Sequence, residues 1–228
     1  SIRDLGFKVY SACIIRSNWA SQNDYFKSLI SRAPFFEEKS VSREILDSQP
    51  YKAYRDGIMR ARKLLPYDDG TWITELGLEE LGITDKQLLD LAGNAAKFCE
   101  QHELKYCTVH SLKCAGFDHE LFSYEMSDDF YITAICSEGT RFSALKCNQK
   151  KIACLDDAPI SIAGFLDAQV GGGESIIVED LIDYIASDLG VCIARDKVLQ
   201  APTRTNLYYN EITNMIYKDK EVFIREVS

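Results

Sequence analysis

The pattern that most limits what this 228-residue chain can fold into is an order of short segments. Helix, short extended stretch, helix, helix and hairpin recur about every 70–80 residues, without clear residue-level identity between the copies. Local chemistry marks each segment. Asn18 to Ile30 places Trp19, Tyr25, Phe26, Leu29 and Ile30 at helical spacing. Ser40 or Ser42 suits the cap of a short helix holding Val41, Ile45 and Leu46, and Pro50 suits the first turn of another that runs to about Leu64. Asp69-Gly70 between apolar, β-prone flanks (Leu64 to Ile73) is a hairpin-turn signal.

The order begins again at Thr84, which forms a capping box with Gln87 ahead of Leu88, Leu91, Ala92, Ala95, Ala96 and Phe98-Cys99. Tyr106 to Val109 is short and β-prone. Ser111 suits the cap of a brief helix ending at Gly116, and Ser127 or Asp128 that of a helix from Phe130 to Cys136. Two extended runs, 141–147 and 151–155, flank Asn148-Gln149-Lys150. The last third offers a Gly171-Gly172-Gly173 hinge, a helix from Ser175 to Leu189 stopped by Gly190, and a short helix from Asp196 to Gln200. Residues 207–217 read as a hairpin or, over 210–217, a helix; Val222-Phe223-Ile224 is β-prone. The expected fold class is mostly α with short β hairpins, an α+β chain of tandem helix-turn-helix units. Their expected ranges are 1–77, 78–158 and 159–228, joined by turns without long linkers.

The order is that of a winged helix, a helix-turn-helix followed by a β wing. The stretches Tyr106 to Leu112, Asp128 to Ile135 and Gly139 to Ser143 resemble the HARE-HTH type of winged helix, found in the delta subunit of bacterial RNA polymerase and in chromatin-linked proteins. Arg141-Phe142 matches the Arg-Phe pair that leads into that family's wing, whereas the family's wing-turn glycine is missing from Asn148-Gln149-Lys150. Leu64 to Ile73 is similar more loosely. Leu207-Tyr208-Tyr209-Asn210 resembles helix-turn-helix C-terminal parts of larger bacterial proteins. The resemblance implies association with DNA or the transcription apparatus.

Charge restricts where nucleic acid could bind. The net −9 divides into +2 over 1–77, −6 over 78–158 and −5 over 159–228. A phosphate backbone calls for concentrated positive field. The expected contact is therefore the helix from Pro50 to Leu64, with Lys52, Arg55, Arg60, Arg62 and Lys63 at the recognition-helix position. Its bland counterpart is a solvated cationic face, or one docked on acidic parts of the same chain. Lys150 and Lys151 on the second wing add one or two phosphate contacts at most. Asp128, Asp129 and Glu138 disqualify the second unit's corresponding helix.

Two function classes compete. One is a non-enzymatic bacterial regulatory module binding DNA or an RNA-polymerase-type protein. The other is a protein-interaction scaffold whose acidic surface meets basic partners, with Tyr208, Tyr209 and Phe223 as exposed anchors. Cys99-x-x-His102 and Cys107-x-x-His110 have the residue types of a zinc site at an unusual spacing, and core packing is the expected role of the two cysteines. Cys107 or Cys114 with His110 or His119 and Asp118 compose a nucleophile–base set on paper, but no phosphate loop or carboxylate pair accompanies it. No cofactor or metal is expected. The eight cysteines sit mostly in apolar segments, so reduced thiols and a cytoplasmic setting are expected, with no membrane span and no visible signal peptide. The chain does not begin with Met, and a larger parent protein is the expectation.

Overall fold

A computed structural model describes residues 4–10, 14–16, 18–170 and 173–227. The chain mixes helices with small antiparallel sheets, an α+β architecture. Its residues group into two compact units, one of 1–91 with 121–140, the other of 92–120 with 141–228. Residue 77 lies within a helix of the first and residue 158 within the second.

A small hairpin, β1 (Phe7–Val9) and β2 (Ile14–Arg16), opens the first unit. Helix α1 (Gln22–Ile30) starts at Ser21, whose hydroxyl accepts the Asp24 amide, and buries Phe26 and Ile30. Then come β3 (Phe35–Glu37), α2 (Arg43–Leu46) and α3 (Gln49–Arg60), with Pro50 in the first turn of α3. The hairpin β4 (Leu64–Asp68) and β5 (Thr71–Thr74) closes the set. Gly70 takes φ +66° at the turn, as the Asp-Gly signal requires. Pro66 removes a ladder donor and accordingly sits on an edge strand, since the sheet order is β3-β5-β4. Phe26, Ile30, Phe36, Tyr51 and Leu64 form the core between helices and sheet.

Helix α4 (Glu75–Glu80) follows directly, and α5 (Asp85–Gln101) starts at the Thr84–Gln87 capping box. Gly77 of α4 lies so close to the backbone of Pro34 that an added Cβ would stand 2.3 Å from its carbonyl oxygen. The first unit ends with α7 (Asp128–Ile135), capped by Ser127. Phe130 to Ile135 are all buried, and α7 packs on β4 and α3.

In the second unit, β6 (Tyr106–Cys107), β7 (Phe142–Cys147) and β8 (Lys150–Leu155) form a sheet of order β6-β8-β7. Asn148 supplies the left-handed turn residue, φ +54°, where the resembled family has glycine. Helix α6 (Val109–Cys114) is capped by Thr108 in a box with Ser111; the expected Ser111 cap is thus the reciprocal partner, three residues inside. The last set is α8 (Ile162–Val170), β9 (Ser175–Ile177), α9 (Val178–Leu189), α10 (Arg195–Gln200), β10 (Tyr208–Asn210) and β11 (Met215–Tyr217), ending in α11 (Lys220–Val227). Its sheet order is β10-β11-β9. Phe165, Leu166, Val178, Leu181, Ile185, Val198 and Ile216 are buried in its core.

Two sequence expectations give way here. The run 175–177 pairs with β11 before the helix begins, because its β-branched Ile176 and Ile177 suit a strand at the sheet edge as well as a first helical turn. Val222-Phe223-Ile224 is helical, since Asp219 accepts the Val222 amide as a helix start and Val222 faces the core. Most of the Gly171–Gly173 hinge lies outside the described residues. The ambiguous stretch 210–217 is a hairpin, with Asn210 Oδ1 accepting the amides of Ile212 and Thr213.

The same order of helix, strand, helix, helix, strand, strand therefore occurs three times. In each sheet the strand that comes last in sequence lies in the middle: β5 between β3 and β4, β8 between β6 and β7, β11 between β9 and β10.

Candidate nucleic-acid interface

The five cations expected on the α3 face have separate fates, all set within the first unit. Lys52 Nζ lies 3.7 Å from Asp47, the residue that caps the end of α2. Arg55 reaches Glu38 at 3.0 Å and lies over the Trp72 ring, 5.8 Å from its centroid. Lys63 Nζ lies 3.1 Å from Glu75. Arg60 is exposed at the end of α3, and its carbonyl accepts the Glu138 amide.

Arg62 is the most committed. It adopts φ +59°, which turns the chain from α3 into β4. Its side chain is only 10% exposed. The guanidinium donates to both Asp85 oxygens, at 2.6 and 3.2 Å, and through Nη1 to Ser137 Oγ at 2.9 Å and the Glu138 carbonyl at 2.6 Å. A planar fork of donors suits such a three-way junction, whereas a lysine would satisfy one partner. Arg62 therefore ties α3, the start of α5 and the end of α7 together. A separation of 75 residues between Arg62 and Ser137 carried no signal in the sequence.

These contacts neutralise much of the helix that sequence charge singled out. The compact first unit, which includes the acidic α7, holds 13 Lys and Arg against 18 Asp and Glu, so the surplus read over 1–77 is reversed. On the β7–β8 hairpin Lys150 is exposed and Lys151 half-buried, and Lys146 stands directly opposite Lys151. Arg141, of the Arg-Phe pair, is held by Glu100 at 2.7 Å and by Asp156.

The Cys/His residues do not gather into one site. Cys99 and Cys107 are buried, and a side-chain hydrogen bond with Cys107 holds the Cys99 thiol below its ordinary value. His102 stacks on Phe98 with ring centroids 4.2 Å apart. His110 Nε2 bonds the Ser187 carbonyl at 3.1 Å and lies 3.6 Å from Cys114 Sγ. Among the described residues no three His, Cys, Asp or Glu side chains are grouped to hold a metal ion. The His119 backbone amide donates to Asp118 Oδ1 at 2.8 Å. The seven described cysteines are free.

The aromatics expected as exposed anchors are half-buried. Tyr208 and Tyr217 pack around Phe223, at 4.9 and 5.2 Å between centroids, and Tyr209 packs on the core with its hydroxyl near Asn214. Ile212, at the tip of the β10–β11 hairpin, is the fully exposed apolar residue of this region.

No described helix is long and apolar enough to cross a membrane. Comparison with protein-family models and with curated proteins finds no match for the chain.

Proposed function

We propose that this chain is a non-enzymatic module of three tandem winged helices that works by docking a protein rather than by reading DNA. The thrice-repeated element order, with the last strand central in each sheet, supports the winged-helix reading. One observation carries the choice of partner: Lys52, Arg55, Arg62 and Lys63 each have a carboxylate of the same unit within 4 Å. Cations paired in this way offer little counterion release to a phosphate backbone. In the second repeat the recognition position is α7, which is buried along most of its length. The overall charge of −9 then suits a basic protein surface. The module belongs in this reading to a regulatory protein, where winged helices serve as rigid scaffolds for contact.

The experiment is a titration with a Lys/Arg-rich peptide and a Glu/Asp-rich peptide of equal length. The reading expects saturable, salt-sensitive binding of the basic peptide alone. Equal weak binding of both, or of neither, contradicts it.

A further inference from the structure

Lys52, Arg55, Arg62 and Lys63 are paired, but two cations elsewhere are not. Lys197 and Gln200 of α10 share with Arg204, the residue after the 3-10 turn (Ala201–Thr203), the face that borders one cleft. That face packs against the start of α8 and lines a cleft of about 260 Å³ together with Ser161, Ile162 and Ala163. No Asp or Glu lines the cleft. Lys197 and Arg204 are exposed, and neither has an ion-pair partner among the described residues.

The other side of the cleft is the start of α8, Ser161 to Ala163. Ser161 caps α8 by accepting the Gly164 amide at 3.0 Å. The amides of Ile162 and Ala163 belong to the first turn, whose donors an α-helix leaves unused. An added Cβ at Gly164 would stand 2.5 Å from Pro159, so the first turn of α8 takes glycine there. Lys197 and Arg204 thus border, together with the first turn of α8, a space sized for a small anionic group.

We propose that this cleft binds a phosphoryl group carried on a side chain of the protein partner. The proposal deepens the docking reading and rests on it. The second unit holds 13 Lys and Arg against 17 Asp and Glu. A duplex would press a row of phosphates against that acidic surface, whereas a single phosphoryl group meets only the local cations, within one Debye length of about 8–10 Å. A basic segment with one phosphorylated residue matches both the acidic surroundings and the cationic cleft.

The test uses the whole chain and a synthetic peptide in which one phosphoserine is flanked by Lys and Arg, beside its unphosphorylated twin and a short DNA duplex. The phosphopeptide is expected to bind at least about tenfold tighter than its twin, the effect of one or two charge-assisted hydrogen bonds. The amides of Ile162 and Ala163 should shift in NMR spectra as it binds. In a K197E/R204E variant of unchanged thermal midpoint the advantage should vanish while binding of the twin persists. Equal affinity for peptide and twin overturns the cleft and leaves the docking reading standing. Binding of neither overturns both. Displacement of the phosphopeptide by duplex DNA at lower concentration overturns the assignment to a protein partner.

Discussion

The guanidinium of Arg62 grips both carboxylate oxygens of Asp85 and, with its remaining nitrogen, holds Ser137 and the Glu138 carbonyl at the end of α7. A residue whose charge pointed to nucleic acid thus serves the packing of its own unit. Arg62→Ala is expected to destabilise the chain by about 1–3 kcal/mol, since it removes charged hydrogen bonds from a largely buried junction. Arg62→Lys should recover less than half, because one ammonium cannot replace the fork. Urea denaturation of the wild type, both variants and Asp85→Asn measures this. A change under about 0.5 kcal/mol for Arg62→Ala would contradict the clamp.

Gly190 ends α9 at φ +65°, and the His110 ring lies where its Cβ would be, about 3.1 Å away. Gly190→Ala should cost about 1–2 kcal/mol from the left-handed backbone and the crowded ring together. In the His110→Ala/Gly190→Ala double variant the cost should fall below the sum of the two single changes. Strict additivity would show that the ring contact carries no energy.

Tyr51 and Tyr106 set the alkaline behaviour. Burial pushes both phenols up to about 12; at Tyr51 the neighbouring Arg55 opposes this and Glu38 adds to it, while Cys154 and Asp167 add to it at Tyr106. Above about pH 10 the unfolded chain gives up these protons while the folded chain keeps them, so stability falls as pH rises from about 10 to 12. Phenolate absorbance of the folded chain should show a late-titrating fraction that joins the main transition in urea. A single transition near pH 10 in the native state would contradict their burial.

Cysteine reactivity should separate by exposure. Cys114 and Cys192 are exposed, whereas Cys99, Cys107, Cys147 and Cys154 are buried, and burial pushes the Cys154 thiol up to about 11. Brief treatment of the native chain with iodoacetamide at mildly alkaline pH, followed by mass spectrometry, should find Cys114 and Cys192 modified and those four unmodified. Early alkylation of Cys154 would contradict the sheet in which it lies.

Local chemistry made much of the fold legible. Asp69-Gly70 marked its hairpin, Thr84 with Gln87 marked the start of α5, Ser127 that of α7, and Gly190 the end of α9. Short segments were harder. Ser175-Ile176-Ile177 and Val222-Phe223-Ile224 have β-prone composition in both places, and only pairing with β11 in one case and a cap at Asp219 in the other decide between strand and helix. The cationic face was legible as a count of charges but not as a surface. The carboxylates that pair Arg55 and Arg62 lie 17 and 23 residues away, at distances where sequence gives no geometry. Lys197, Gln200 and Arg204 did carry a helical spacing, yet the acidic balance of their surroundings drew attention away from them.

Whether the α3 face, with Arg60 as its exposed cation, attracts DNA decides most directly between the two partners. Fluorescence anisotropy of a labelled duplex, titrated with the chain at low and at moderate salt, reads this in one experiment. The expected result is weak binding at low salt at most, unchanged by Arg60→Glu and lost at moderate salt. Tight binding that persists at moderate salt and collapses in Arg60→Glu would contradict the protein-docking account and restore α3 as a DNA-contacting helix.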